Sequence, residues 1–167
     1  MYSVSDTRIS KKYDSNYTLD FDKSKEDFME RTIKMNNRKL GNSFEDELCD
    51  ILSGYGFWVH NLTQNKAGQP ADVIAVRNKV SYLIDAKVCT HNKFPLKRVE
   101  ENQDLSMELW KECGNGLGWF ALKTDNGIYM LSHYCIKAYK GLKASSLSAK
   151  EIMELGVPLE KWVKKCR

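Results

Sequence analysis

Apolar and polar residues alternate along this chain in two different rhythms, and the switches between them mark its elements. Residues 1–22 follow neither rhythm. They are polar, rich in Ser, Asp, Lys and Tyr, and are expected to form a flexible arm. From 23 to 167 the pattern reads as a single domain. A helix is predicted over about 24–40, capped by Ser24, carrying Phe28, Ile33 and Met35, and ended by Gly41-Asn42. Ser43 caps the next helix. Its first turn holds Glu45, Asp46 and Glu47, where the helix dipole favours acids, and its apolar stripe is Phe44, Leu48, Ile51, Leu52 and Tyr55. A short strand follows over 57–61, then a polar loop over 63–68. Val73-Ile74-Ala75-Val76 and Val80-Ser81-Tyr82-Leu83-Ile84 read as paired strands. Pro95 suits the entrance of a helix reaching about Cys113, with Leu96, Val99, Gln103, Met107 and Trp110 near one face. A second hairpin over 117–123 and 128–132 turns through Thr124-Asp125-Asn126-Gly127, and helical segments near 133–140, 148–155 and 158–165 finish the chain. This order predicts an α/β fold: a mixed central β-sheet flanked by helices.

The first hairpin carries the chemistry. With Asn78-Lys79 as a two-residue turn, Arg77 faces Val80. Counting outward sets Asp72, the end of Gln69-Pro70-Ala71-Asp72, opposite Asp85 of Asp85-Ala86-Lys87. Lys87 lies two residues beyond Asp85 and projects from the same face. Like charges facing each other across a ladder repel. A divalent cation between them turns the repulsion into a binding site. The helix after Ser43 offers a third carboxylate. Glu45 and Glu47 flank its stripe on opposite sides, and the helical wheel does not choose between them. Three oxygen ligands completed by water suit Mg²⁺, with Mn²⁺ as a substitute. Such a cation activates water beside a phosphodiester and neutralises charge on the phosphate. Lys87 would then hold the attacking water or stabilise the pentacovalent anion.

Composition narrows the setting. Hydrophobic residues at 42% and charged residues at 29% describe an ordinary globular protein, and a net charge of +4 permits a nucleic-acid partner without requiring one. No stretch approaches the length of a membrane span and the N-terminus is polar, so a cytoplasmic protein with no membrane partner is expected. The five cysteines are scattered and never spaced as CxxC, which fits reduced thiols. His60, His91 and His133 are equally dispersed, leaving carboxylates as the expected metal ligands.

The arrangement resembles the PD-(D/E)xK nuclease superfamily with its restriction-endonuclease-like core, and within it the RecU-type Holliday-junction resolvases. Gly41-Asn42-Ser43-Phe44-Glu45-Asp46-Glu47-Leu48 looks like the first-helix motif of that type, whose glutamate follows an apolar residue. The resemblance therefore selects Glu45 over Glu47. Phe94-Pro95-Leu96-Lys97-Arg98-Val99 with Asn102-Gln103 resembles the segment leading into the next helix, where a glutamine faces the active site. Gly118-Trp119-Phe120-Ala121-Leu122 and Ile128-Tyr129-Met130-Leu131 resemble its closing hairpin, so the likeness runs over about 37–139. It implies Glu45, Asp72 and Asp85 as metal ligands, Lys87 as the catalytic lysine and Gln103 as a supporting residue. It also implies a homodimer cutting symmetric strands of a four-way DNA junction, in a bacterium or a phage-infected cell. One departure stands out: RecU-type enzymes carry a long stalk-forming insertion before the Asp-bearing strand, and here only 60–71 is available.

Beyond the metal site, Lys66, Lys93, Lys97 and Arg98 sit on predicted loops or helix starts that flank it, suited to meeting phosphates. Arg8, Lys11 and Lys12, interleaved with Tyr2, Tyr13 and Tyr17, give the arm a similar capacity. Trp58, Trp110, Trp119 and Trp162 occupy apolar-periodic positions, and the segments around Trp110 and Trp162 are candidates for a dimer interface. The expected activity is that of a metal-dependent DNA endonuclease on branched DNA. The rivals are a restriction or repair nuclease with other DNA substrates, and a catalytically silent DNA-binding domain.

Overall fold

The computed structural model describes residues 44–62 and 69–166. The expected arm, the helix over 24–40, the Ser43 cap, the loop over 63–68 and Lys66 lie outside the described residues. Fourteen elements are named here in chain order, the short 3₁₀ turn Leu96–Arg98 included without a number. They are α1 (Phe44–Gly54), β1 (Trp58–Asn61), β2 (Val73–Arg77), β3 (Val80–Val88), β4 (Lys93–Pro95), the 3₁₀ turn, α2 (Glu101–Glu112), β5 (Trp119–Thr124) and β6 (Gly127–Ser132). There follow α3 (His133–Gly141), β7 (Ser146–Ser148), α4 (Ala149–Leu155), β8 (Val157–Pro158) and α5 (Leu159–Lys165).

A six-stranded sheet runs in the order β1-β2-β3-β5-β6-β8. Only β3 and β5 pair in parallel, so the sheet is mixed, as expected from the sequence. Alternation along the strands feeds two apolar layers. Val73, Ala75, Ile84 and Ala86 pack with Leu48 and Leu52 of α1 and with Trp162 and Val163 of α5. Leu83, Phe120, Leu122 and Leu131 pack with Met107 of α2, Ile136 of α3 and Ile152 of α4. By the same alternation Asp85 and Lys87 share the side of β3 that Leu83 occupies, facing the layer to which α2 belongs.

The first hairpin forms as counted. Arg77 pairs with Val80 and Val73 with Ile84, and both turn residues take left-handed angles, φ 51° at Asn78 and 66° at Lys79. Left-handed conformation at both central positions is the turn whose twist matches its strands. The ladder extends one step further: the Asp72 amide donates to the Ile84 carbonyl at 3.1 Å, while Leu62 donates to the Asp72 carbonyl at 2.7 Å. Asp72 is thereby clamped between β1 and β3 at the position facing Asp85.

One expectation needs correction. Pro95 does not open a helix. It ends β4, which pairs with β7, the 3₁₀ turn follows, and α2 begins only at Glu101. The reason is tertiary, because Ser146–Ser148 supplies a strand partner about fifty residues downstream, out of reach of local pattern reading. Trp162 itself is a core residue, 3% exposed. Its ring stacks on Phe57 at 6.0 Å and meets Tyr82 and Trp119 edge-on at 5.0 and 5.5 Å. Among the described residues no helix is long and apolar enough to cross a membrane. This aromatic cluster joins α5 to the sheet. Trp162→Ala is expected to cost about 3–5 kcal/mol of stability, read as a lowered urea midpoint.

Candidate active site

Asp72 and Asp85 meet where the hairpin count puts them, and both are buried, at 6% and 0% exposure. Each has one oxygen tied to a glutamine amide. Gln69 Nε2 donates to Asp72 Oδ1 at 2.8 Å, and Gln103 Nε2 donates to Asp85 Oδ1 at 2.6 Å. The second oxygens turn toward Lys87, whose Nζ stands 2.7 Å from Asp85 Oδ2 and 3.9 Å from Asp72 Oδ2. Asp72 Oδ2 also accepts the Ala86 amide at 2.7 Å. The contact of Asp85 Oδ2 with the Lys87 ammonium is a buried ion pair. Gln103 is itself fixed, because its Oε1 accepts the Glu100 amide at 3.2 Å in the first turn of α2.

Electrostatics show how poorly one lysine balances two carboxylates. Burial, and next the charge of Asp72, push the Asp85 carboxyl from 3.8 up to about 7, against the opposing pull of Lys87. Glu45 is raised by burial and then by Asp72, with Lys87 lowering it, so this helix glutamate lies within the field of the hairpin pair. Burial and four surrounding carboxylates, including Glu45 and Asp72, push the nearby Cys49 thiol up to about 12. Glu47 is elsewhere, in an ion pair with Lys123 of β5. Of the two glutamates that the helical wheel left open, Glu45 is the one in the field of Asp72 and Lys87.

Among the described residues no three His, Cys, Asp or Glu side chains close into a ready-made metal site. The donor chemistry nonetheless fits a hard divalent cation. Asp85 Oδ2 is buried with only the Lys87 ammonium against it among the described residues, Asp72 Oδ2 lies on the same side of Lys87, and Glu45 shares their field. The outlying basic residues behave differently from one another. Lys93 and Lys97 are exposed on β4 and the 3₁₀ turn, between the strand of Lys87 and the helix of Gln103. Arg98 is folded back, donating from Nη1 to the Val88 carbonyl at 2.5 Å, with its guanidinium 5.9 Å from the Phe94 ring centroid. Sequence reasoning missed two polar contacts: Gln69 on Asp72, and Asn102, which donates to the Gln69 carbonyl at 3.2 Å. Neither residue stands out by periodicity; a glutamine three positions before a predicted buried aspartate is the only available cue.

The raised Asp85 pKa has a consequence for metal-free protein. Below about pH 4 folded and unfolded chains both hold the proton; above about pH 7 both lose it, and only the folded chain bears a buried charge. Stability in EDTA should therefore fall as pH rises through that window, by on the order of 2–4 kcal/mol. Asp85→Asn should flatten the slope. Urea midpoints collected from about pH 4 to pH 8 would check both.

A family model described as archaeal Holliday junction resolvase (Hjc) matches residues 35–167. Among solved structures, the chain is similar to Hjc, a Holliday junction resolvase from the archaeal hyperthermophile Archaeoglobus fulgidus. The TM-score is 0.57 at 14% sequence identity, over 74% of this chain and 99% of that one, and at this identity the likeness speaks for the fold. No curated protein sequence matches. The match names the archaeal resolvases rather than the RecU type, and it lends nothing to a bacterial or phage setting. With most of its length matched, the chain belongs to the archaeal Holliday-junction resolvase family, endonucleases of the PD-(D/E)xK superfamily that act on branched DNA.

Proposed function

We propose that this protein cuts four-way DNA junctions as a homodimer, using a Mg²⁺-type cation held by Glu45, Asp72 and Asp85. The observation that carries this reading is the convergence of the buried Asp72 and Asp85 carboxylates on one lysine, with both Oδ2 atoms turned to Lys87. Bound there, the cation would supply Lewis acidity at the scissile phosphate. The protein's own groups do the rest. Gln103 fixes the direction of the Asp85 carboxylate. Lys87 Nζ donates to the attacking water or to a phosphate oxygen, its charge countering the one that builds on the phosphorus. Lys66, Lys93 and Lys97 meet the strand's phosphates, and Arg98 joins them with the donors left free by Val88. A catalytically silent DNA-binding domain is disfavoured by two buried, mutually repelling carboxylates that a single lysine balances only in part.

Symmetric cutting needs two sites at a fixed spacing, and α2 offers a means. Its inner face carries Gln103 and Met107, both buried. On its outer face Leu105 and Leu109, one turn apart, are 58% and 60% exposed, with Tyr134 of α3 at 68%. Lys137 and Lys140 of α3 pair with Glu108 and Asp104 of α2, so the two helices lie together beside these apolar residues. A two-fold axis would set this apolar patch against its own copy. The segment around Trp110 thus remains the proposed interface.

Two experiments test the reading. Full-length protein should nick a labelled four-way junction in paired, symmetric fashion with Mg²⁺ and spare linear duplex and single strands. EDTA, Asp85→Ala or Lys87→Ala should each lower the rate more than about a hundredfold. Equal cutting of linear duplex would remove the junction assignment, and unchanged activity in Asp85→Ala would remove the site. In the second, Leu109→Glu should turn a dimer into a monomer by sedimentation and uncouple the paired nicks. A variant that stays dimeric would move the interface off α2.

A further inference from the structure

Of the stretch Gln69-Pro70-Ala71-Asp72, the proposed chemistry uses only the aspartate. Yet Gln69 does for Asp72 what Gln103 does for Asp85. Each glutamine donates its side-chain amide to an Oδ1, at 2.8 Å and 2.6 Å, and each leaves the Oδ2 turned toward Lys87. Both supports lead back to neighbouring residues in one helix turn. Gln103 acts directly, while Asn102 donates to the Gln69 carbonyl at 3.2 Å and so anchors the residue that holds Asp72. We propose that Gln69 is a positioning residue of the metal site, and that Asn102 and Gln103 make the first turn of α2 a clamp on both carboxylates. This rests on the metal-dependent reading above.

The chemistry favours amides in these places. A carboxylate turns about its Cβ–Cγ bond, and fixing one oxygen fixes the direction of the other. A lysine or arginine would do this too, but its charge would compete with a cation for the same oxygens. A neutral amide orients the ligand and leaves its charge available. Gln69 has a second trait. Among the described residues its Oε1 is buried without a hydrogen-bond partner. Burying an unmet acceptor costs stability, so packing alone is a poor reason for glutamine at this position. The bland alternative, that Gln69 merely closes the loop before β2, is separated by an isosteric variant that keeps the packing and loses the amide.

The test uses the full chain with Mn²⁺ as probe, by calorimetric titration without DNA, alongside junction cleavage. Gln69→Met should fold with a melting temperature close to that of the unaltered protein and bind Mn²⁺ about tenfold or more weakly, with cleavage partly recovered at high Mn²⁺. Asn102→Ala should shift affinity the same way by less, and Lys150→Ala, on an exposed i,i+4 pair with Glu154, should shift nothing. Gln69→Met binding Mn²⁺ within about twofold of the unaltered protein would overturn the proposal. A metal-free arm stands apart from the metal reading: urea unfolding in EDTA of Gln69→Met, Asp72→Ala and the double variant. Non-additive effects support the Gln69–Asp72 link, and additive effects overturn it, even if the unaltered protein takes up no Mn²⁺ at all and the metal reading falls.

Discussion

Two carboxylates buried side by side across a β-ladder, with one ammonium between them, set the terms for much of this structure. The arrangement carries a net negative charge in a place that water hardly reaches. Lys87 at 2.7 Å is not enough to keep Asp85 an ordinary acid, since burial and Asp72 together still drive its pKa to about 7. Such a pair has two ways out, a proton or a cation, and the surrounding contacts are of the kind that serve the second. They are neutral donors, namely two glutamine amides and the Ala86 backbone amide, which orient oxygen atoms without cancelling their charge. Register is part of the same constraint. A one-residue slip of the β2–β3 hairpin would send Asp85 and Lys87 to the opposite face of the sheet, away from Gln103. The left-handed Asn78-Lys79 turn and the apolar alternation on both strands oppose that slip.

That same locality explains which parts of the site were legible in sequence. Asp72 facing Asp85 follows from a two-residue turn and simple counting, both encoded within fourteen consecutive residues. Gln103 entered through a family resemblance, and its contact with Asp85 is what the structure adds. Glu45 against Glu47 could not be settled on the helix, because both flank the apolar stripe. What the helix could not show is Lys123, on a strand far downstream, which pairs with Glu47. The same blindness accounts for Pro95: a proline before an apolar periodic run looks like a helix start until a distant Ser146–Ser148 strand claims the segment. Asn102 and Gln69 were invisible for a further reason. Single polar contacts across a fold leave no period to read.

The helix α2 shows how one element can serve two scales. Inward, its first turn supplies Gln103 to Asp85 and Asn102 to the backbone of Gln69. Outward, Leu105 and Leu109 leave apolar surface that a lone monomer has no use for. Side chains at positions 102 and 103 point about 100° apart around a helix, and Leu109 lies within about 20° of Asn102 but two turns further along, so the roles are separated along the axis. Coupling them on one rigid rod has a mechanical consequence. Any partner seated on the outer face is registered directly against the groups that orient Asp85.

The short link before β2 sharpens this point. A nuclease with a long stalk can probe the open centre of a junction with a dedicated segment. In this chain only residues 62–72 connect β1 to β2, and Asp72 at their end is already clamped by Leu62 and Ile84. Discrimination of a four-way junction from linear duplex must then come from somewhere other than a probe. On the dimer reading it comes from spacing. Two sites held at a set separation and angle fit only strands that a branched substrate presents in that relation, while a straight duplex satisfies one site and strains the other. On the proposed α2 dimer, selectivity of this kind would reside in the interface rather than in base contacts. It demands little sequence preference, and it makes an interface variant a loss of discrimination before it is a loss of chemistry.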